Sequence, residues 1–86
     1  MTSVFTEEYQ TFLRLLIESR KEARLTQQEL ADRLNRPQSF VSKYEKGERR
    51  LDVAEFLKIS EAIGFDPCEL IRKLQDGTPG QSKGES

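Results

Sequence analysis

Residues 25–47, LTQQELADRLNRPQSFVSKYEKG, contain two helical segments separated by a very short turn. Thr26 followed by Glu29 has the spacing of a capping box, in which each side chain accepts a hydrogen bond from the backbone N–H of the other residue. Asn35 tolerates the left-handed conformation that ends a helix, and Pro37 suits a helix start because its missing N–H would be unpaired there. So short a turn joins two helices at a steep angle.

The outer face of the second segment is polar, and packing requires none of its side chains, which are Gln38, Ser39, Ser42, Lys43 and Lys46. Gln can bond bidentately to adenine, Lys to guanine and Ser to several bases. A helix that follows a tight turn and carries such a face is suited to a DNA major groove. Ser42 has two interpretations, since it faces either DNA or a carbonyl group of its own helix.

Helical periodicity continues on both sides of this pair, and no alternating run is long enough for a strand. Thr6 caps a first helix that runs to about residue 23, with acidic residues in its first turn. Asp52 caps a fourth helix that ends at Gly64, and a fifth begins at Asp66. The sequence therefore predicts an all-α fold of five helices.

This pattern divides the chain into three segments. We expect an N-terminal arm over residues 1–6 and a helical domain over residues 7–74, with the helix pair at about 26–47. Residues 75–86, QDGTPGQSKGES, contain no large apolar side chain and are rich in Gly, Ser and Pro, which predicts a disordered tail. A chain of 86 residues has no room for a second core.

Charge is distributed unevenly along the chain. The net charge is −1, yet residues 33–50 carry six basic and two acidic side chains, and the segments on both sides are acidic. A basic segment favours a polyanionic partner, because its contacts release counterions. The same charges also fit the solvated face of a helix.

Composition disfavours several classes of function. No window approaches the roughly 18 apolar residues of a membrane helix, and residues 1–10 lack the layout of a signal peptide, so we expect a cytoplasmic protein. The single Cys68 forms no internal disulfide. Without His, the chain lacks a nitrogen ligand for zinc and the usual general base. We therefore expect no enzyme, no catalytic residue, no metal and no cofactor.

The sequence from Arg20 to Leu70 resembles the Cro/lambda-repressor type of helix-turn-helix domain. The resemblance rests on LTQQELADRL at 25–34, QSFVSKYEKG at 38–47 and the IGFDP junction at 63–67. It implies a five-helix, lambda-repressor-like domain in a sequence-specific transcriptional regulator, a repressor of bacterial or phage origin. The implied partner is double-stranded DNA, bound by a homodimer, and no small-molecule ligand is evident.

The resemblance also implies roles for individual residues. The positions that correspond to base contacts are Gln38, Ser39 and Lys43. The positions that correspond to phosphate contacts or their support are Gln27, Lys46, Arg49 and Arg50. Ser42 is added to this set because of its place on the outer face of the second segment. Within these sets, Gln27 is expected to brace Gln38. Arg20 and Glu45 correspond to an ion pair that joins the first and third helices.

The chain departs from the family pattern at two positions. Pro37 replaces the usual capping Ser or Thr, so the phosphate contact of that hydroxyl is lost. Phe40 replaces a small or hydroxyl residue. It is interpreted either as a contact to a thymine methyl group or as a residue at the edge of the core, and its neighbours Val41 and Tyr44 favour the second interpretation.

Two questions stay open at this stage. A helix-turn-helix frame also suits a protein-interaction module, such as an antitoxin-like protein that binds a partner.

A homodimer is expected because one recognition helix contacts few base pairs, and it has two candidate surfaces. One candidate is the fifth helix, which the family often uses, with Leu70, Ile71 and Leu74. The other is the N-terminal arm, with Val4, Phe5 and Tyr9.

Overall fold

Five helices make up the part of the chain that the structure, a computed structural model, describes: residues 6–77. They are α1 (Glu7–Glu22), α2 (Gln27–Leu34), α3 (Gln38–Glu45), α4 (Val53–Ile63) and α5 (Pro67–Gly77). No strand occurs within this range, and the predicted all-α, five-helix fold is confirmed. Residues 1–5 and 78–86, which contain most of the expected arm and tail, lie outside the described residues.

The fifth helix is longer than the sequence pattern predicts. It runs to Gly77, three residues beyond the expected domain boundary at residue 74. Leu74, in the last turns of α5, is half-buried and so packs part of its side chain against the rest of the protein. Such packing, rather than the propensity of the polar residues that follow, supplies most of the stability of a helix.

Capping signals begin and end the helices of the central pair as expected. Thr26 and Glu29 form both bonds of the capping box, at 3.0 and 2.8 Å. Asn35 ends α2 in the left-handed conformation, with a φ angle of 61°. Pro37 precedes α3 in an extended conformation and forms no side-chain cap. The turn between the two helices is therefore limited to residues 35–37.

The core lies where α2 packs on α3 and α4, and α1 packs on α3 and α5. The largest fully buried side chains are Tyr44, Leu16, Leu30, Ile59 and Val41. Phe40 is also buried and its ring packs edge-on against Tyr44, with centroids 5.5 Å apart. The interpretation of Phe40 as a residue at the edge of the core is therefore confirmed.

One residue expected at a dimer surface belongs to the core instead. Leu70 of α5 is buried within this chain and is not available for pairing with a second copy. The helical period that sets Leu70 on an apolar face does not tell which neighbour covers that face. The exposed apolar residue of α5 is Ile71.

Candidate nucleic-acid interface

The outer face of α3 carries the residues for which base contacts are expected. Gln38, Ser39 and Lys43 are exposed, and Ser42 is half-buried between them. Lys46 is exposed directly after the last turn. The opposite side of α3 packs on α1 and α2, so the fold presents this polar face to solvent.

A buried ion pair joins α1 to the end of α3. Arg20 Nε donates to Glu45 Oε2 at 2.7 Å, and Arg20 Nη2 donates to Glu45 Oε1 at 3.1 Å. The two side chains are only 10% and 5% exposed. Arg20 Nη1 also donates to the carbonyl oxygen of Leu25 at 2.8 Å. The ion pair that the resemblance implies is therefore present. Through its bond to Leu25, Arg20 also holds the loop before α2 in place.

Gln27 connects this ion pair to the exposed face of α3. Its Nε2 donates to Glu45 Oε1 at 2.8 Å, and its Oε1 accepts a hydrogen bond from Gln38 Nε2 at 2.7 Å. The bracing contact expected between Gln27 and Gln38 is therefore present. Gln38 is exposed, yet a chain of hydrogen bonds links its amide to a buried carboxylate.

A second carboxylate, Glu55 of α4, binds two arginines that flank α3 in sequence. Arg49 donates to Glu55 through Nη1 and Nη2, at 3.0 and 2.8 Å, and Arg36 Nη2 donates at 3.4 Å. The hydrogen bonds from Arg49 lower the pKa of Glu55 to about 2, and the backbone N–H of Asp52 acts in the same direction. The same pairing raises the pKa of Arg49.

Both of these arginines lie over the ring of Phe40. The guanidinium carbons of Arg36 and Arg49 are 4.1 and 4.9 Å from the ring centroid, within the range of a favourable cation–π contact. We call Arg36, Phe40, Arg49 and Glu55 the Glu55 cluster. It connects the turn before α3 and the loop after α3 to the helix itself.

The basic residues expected to contact phosphates have different neighbours. Lys46 is exposed. Arg49 binds Glu55 with both terminal nitrogens, and its side chain is 40% exposed. The guanidinium carbon of Arg50 lies 4.4 Å from the ring centroid of Tyr9 on α1. The three residues therefore differ in their surroundings, because Arg49 pairs with Glu55 and Arg50 lies against the ring of Tyr9.

The sequence reasoning missed Arg36 and Glu55 as parts of this region. Glu55 stands three positions after Asp52, which is the spacing of a capping box, and the structure contains that box. The spacing was therefore a usable signal for the position of Glu55 in the first turn of α4. It contains no information about a partner such as Arg36, which lies on the other side of α3 in the sequence.

The described residues offer little for metal chemistry. Within residues 6–77, no group of three or more Cys, Asp and Glu side chains is placed to hold a metal ion. Cys68 is a free, exposed cysteine. None of the helices in this part of the chain has the length and apolar character that a membrane crossing requires.

Comparison with known proteins identifies the family. A family model described as "Helix-turn-helix" matches residues 16–70, which is more than half of the chain. The chain belongs to the XRE/Cro type of helix-turn-helix proteins. It is similar to the solved structure of an XRE-family like protein from Pseudomonas syringae pv. tomato str. DC3000, with 57% sequence identity and a TM-score of 0.79. The match covers 84% of this chain and 88% of the other. A search of curated proteins found no match.

This helix-turn-helix family consists of DNA-binding regulators, so double-stranded DNA is the partner that membership implies. Membership also points to a regulator without enzymatic activity. The helix-turn-helix pair of this protein consists of α2 and α3, both of which lie within the matched residues. The capping box, the left-handed Asn35 and the short turn are the local features that build it.

Proposed function

We propose that this helix-turn-helix protein is a sequence-specific transcriptional repressor that inserts α3 into the major groove of double-stranded DNA in the cytoplasm. The observation that carries the proposal is the exposed amide of Gln38, which Gln27 and the buried Glu45 orient in advance. Orienting an exposed polar side chain adds little to packing. Such orientation instead reduces the conformational entropy that the side chain of Gln38 loses when it binds a ligand.

Contacts to bases and to phosphates come from different sets of residues. The proposed base contacts are the exposed polar residues of α3, Gln38, Ser39 and Lys43. The proposed phosphate contacts and their supports are Gln27, Ser42, Lys46, Arg49 and Arg50. In the second set, Arg49 also binds Glu55 and Arg50 also stacks on Tyr9. A substitution of Lys46 therefore isolates a phosphate contact best.

A mobility-shift titration with duplexes of random sequence tests whether the protein binds DNA at all. The logarithm of the affinity should fall linearly with the logarithm of the salt concentration, because each phosphate contact releases counterions. Failure to bind at low salt overturns the proposal. That result would favour the alternative of a protein-interaction module.

Substitutions then separate base contacts from phosphate contacts on a site selected from a random pool. Gln38→Ala and Lys43→Ala should each relax discrimination at one or two base pairs, by about 1–3 kcal/mol. Lys46→Ala should weaken all sequences alike and reduce the salt slope by about 1. Lys73→Ala on α5 is a matched exposed control that should change neither. Equal losses on all sequences for Gln38→Ala and Lys43→Ala would contradict the base contacts.

We also propose that the repressor is a homodimer, because one short recognition helix contacts too few base pairs for a specific site. Its pairing surface is the apolar patch around Val53 and Ile71, which are 74% and 41% exposed. Both residues line a groove that also contains the half-buried Leu74 and Tyr9. Thr6 lies at the same groove.

Sedimentation measures the oligomeric state directly. The unmutated chain should be a dimer at micromolar concentration, and the double variant Val53→Gln/Ile71→Gln should be a monomer with unchanged helical content. Lys73→Gln, which introduces the same side chain elsewhere on α5, should remain a dimer. A monomer in the unmutated chain at high micromolar concentration would exclude the dimer, and a dimeric double variant would exclude this surface.

A further inference from the structure

The buried carboxylate of Glu45 constrains the orientation of the neighbouring amide. A carboxylate that is paired with a guanidinium offers acceptors and no donor. Gln27 must therefore turn its NH₂ group toward Glu45, and its Nε2 lies 2.8 Å from Glu45 Oε1. This orientation directs the carbonyl oxygen of Gln27 away from the core and toward Gln38.

The orientation of Gln27 in turn fixes the orientation of the exposed Gln38 amide. Because Gln27 Oε1 can only accept, Gln38 must turn its own NH₂ group toward it, and Nε2 and Oε1 are 2.7 Å apart. One N–H of Gln38 is used in this bond. The amide retains its carbonyl oxygen and one N–H for a ligand, on a side chain that is exposed.

We infer that Glu45 is a positioning residue that determines, through Gln27, which base Gln38 prefers to bind. One acceptor beside one donor complements the N6 donor and N7 acceptor of adenine in the major groove. Guanine presents two acceptors, O6 and N7, and requires two donors. Gln38 offers two donors only if its amide is reversed. The inference rests on the proposed function, because it requires Gln38 to contact a base.

Burial makes the reversed orientation unfavourable. If the Gln27 amide turned around, its carbonyl oxygen would face Glu45 Oε1, and two acceptors would meet at a carboxylate that is 5% exposed. A polar group left without a partner in such a place is costly. Glu45 cannot rotate to avoid the contact, because two bonds from Arg20 hold both of its oxygens.

The test begins with the binding site that the unmutated chain selects from a random duplex pool. Gln38→Ala identifies the base pair that Gln38 contacts, as the one whose preference disappears. At that pair the unmutated chain should prefer adenine over guanine. Because a bidentate contact carries the discrimination, the preference should be about tenfold or more.

We call the chain of hydrogen bonds from Glu45 through Gln27 to Gln38 the relay. Glu45→Gln then reverses the relay with almost no change in the shape of the substituted side chain. The new amide can keep only one of the two bonds from Arg20: an oxygen at the Oε2 position retains the shorter bond from Nε, at 2.7 Å, and gives up the longer one from Nη2, at 3.1 Å. The nitrogen at the Oε1 position then donates to Gln27, so Gln27 and Gln38 both turn around. Gln38 then presents two N–H donors. The preference at its base pair should shift from adenine toward guanine, while the preferences at the other pairs stay as they were.

Gln27→Met is a second variant that leaves the Arg20–Glu45 pair in place and removes only the link. It keeps the test decisive even if Glu45→Gln does not fold. Adenine preference at the Gln38 pair should fall, and no new preference should appear. In the Gln38→Ala background neither substitution should alter base preference, a coupling that a general loss of stability does not produce.

The outcomes separate the inference from the function on which it rests. If the unmutated chain binds duplex in a salt-dependent manner but Gln27→Met leaves the adenine preference intact, the relay is overturned and the DNA-binding function stands. A guanine preference of the unmutated chain at the Gln38 pair also overturns the relay alone. If the unmutated chain does not bind random duplex even at low salt, both fall.

Discussion

Two carboxylates support α3, and they differ in how far they are removed from water. The side chain of Glu45, the last residue of α3, is 5% exposed and pairs with Arg20 of α1, which is 10% exposed. The side chain of Glu55 on α4 is 21% exposed and pairs with Arg49, which is 40% exposed. Both pairs are bidentate, with similar distances. Their energetic consequences should nevertheless be very different.

The difference follows from desolvation. A buried pair has lost the hydration of both ions, so removal of one partner leaves an unpaired charge in the core. An exposed pair can replace a lost partner with water. The Arg20–Glu45 pair is therefore suited to fixing an orientation, as in the link to Gln27, while the Glu55 cluster is suited to modest, adjustable support of the loop.

The largest expected effect is that of Glu45→Ala, which should lower the free energy of unfolding by about 3–5 kcal/mol. The unpaired guanidinium of Arg20 would remain in the core, and Gln27 would lose its acceptor. Chemical denaturation followed by circular dichroism measures the loss. A change below about 0.5 kcal/mol would mean that the pair behaves like an exposed one.

The double variant Arg20→Met/Glu45→Leu sharpens the same contrast. It removes both charges together, so it should cost less than either single replacement by an apolar residue, although the carbonyl oxygen of Leu25 loses its donor. The four free energies of unfolding form a double-mutant cycle. Additive losses would show that the charges do not interact.

The second effect in size is that of Glu55→Ala, with an expected loss of about 1 kcal/mol from an exposed ion pair and a capping box. Arg36 and Arg49 would stay hydrated over the ring of Phe40. Glu61→Ala, at an exposed position of the same helix, is the matched control and should change stability little. A loss as large as that of Glu45→Ala would remove the distinction between the two carboxylates.

The pH dependence of stability tests the Glu55 pair without removing its arginines. The folded-state pKa of Glu55 is about 2, below its ordinary value of 4.5, so the pair stabilises the fold above about pH 4.5 and loses its contribution as the pH falls toward 2. The difference in unfolding free energy between the unmutated chain and Glu55→Gln should shrink across that window. A difference that stays constant from about pH 7 to pH 3 would contradict the lowered pKa.

The smallest expected effect concerns a polar atom next to the buried pair. In the described residues, Tyr44 Oη is buried and has no hydrogen-bond partner. Burial raises the pKa of the Tyr44 hydroxyl, and the charge of Glu45 raises it further. Tyr44→Phe removes the unsatisfied group and keeps the ring, so it should leave stability unchanged or raise it by up to about 0.5 kcal/mol. Denaturation measures this, and a loss above about 1 kcal/mol would indicate that the hydroxyl is satisfied in solution.

Apolar periodicity located the helices more reliably than it located their neighbours. The pattern of α4 contains both Val53 and Phe56, yet Phe56 is buried and Val53 is largely exposed. Likewise Leu70 and Ile71 are adjacent on α5, and the core contains only the first. A period of 3.6 residues identifies a face of a helix, but the width of the buried part depends on what packs against it.

The sequence by itself determined the features whose bonds join residues three or four positions apart. The capping boxes, the turn at Asn35 and the all-α class belong to this group, because a cap depends on one short segment of chain and not on the rest of the fold. The Arg20–Glu45 pair was expected only from the family resemblance, since its partners are 25 positions apart. Nothing in the local sequence favours one distant partner over another.

Only the tertiary structure decided which side chains meet across that distance. Glu55 pairs with Arg36 from the turn before α3 and with Arg49 from the loop after it, and Phe40 lies beneath both cations. The orientation of the Gln27 and Gln38 amides is likewise a consequence of where α1 brings Arg20 and Glu45 together. Such contacts depend on the relative positions of whole helices, which are set by burial of the entire core rather than by any one segment.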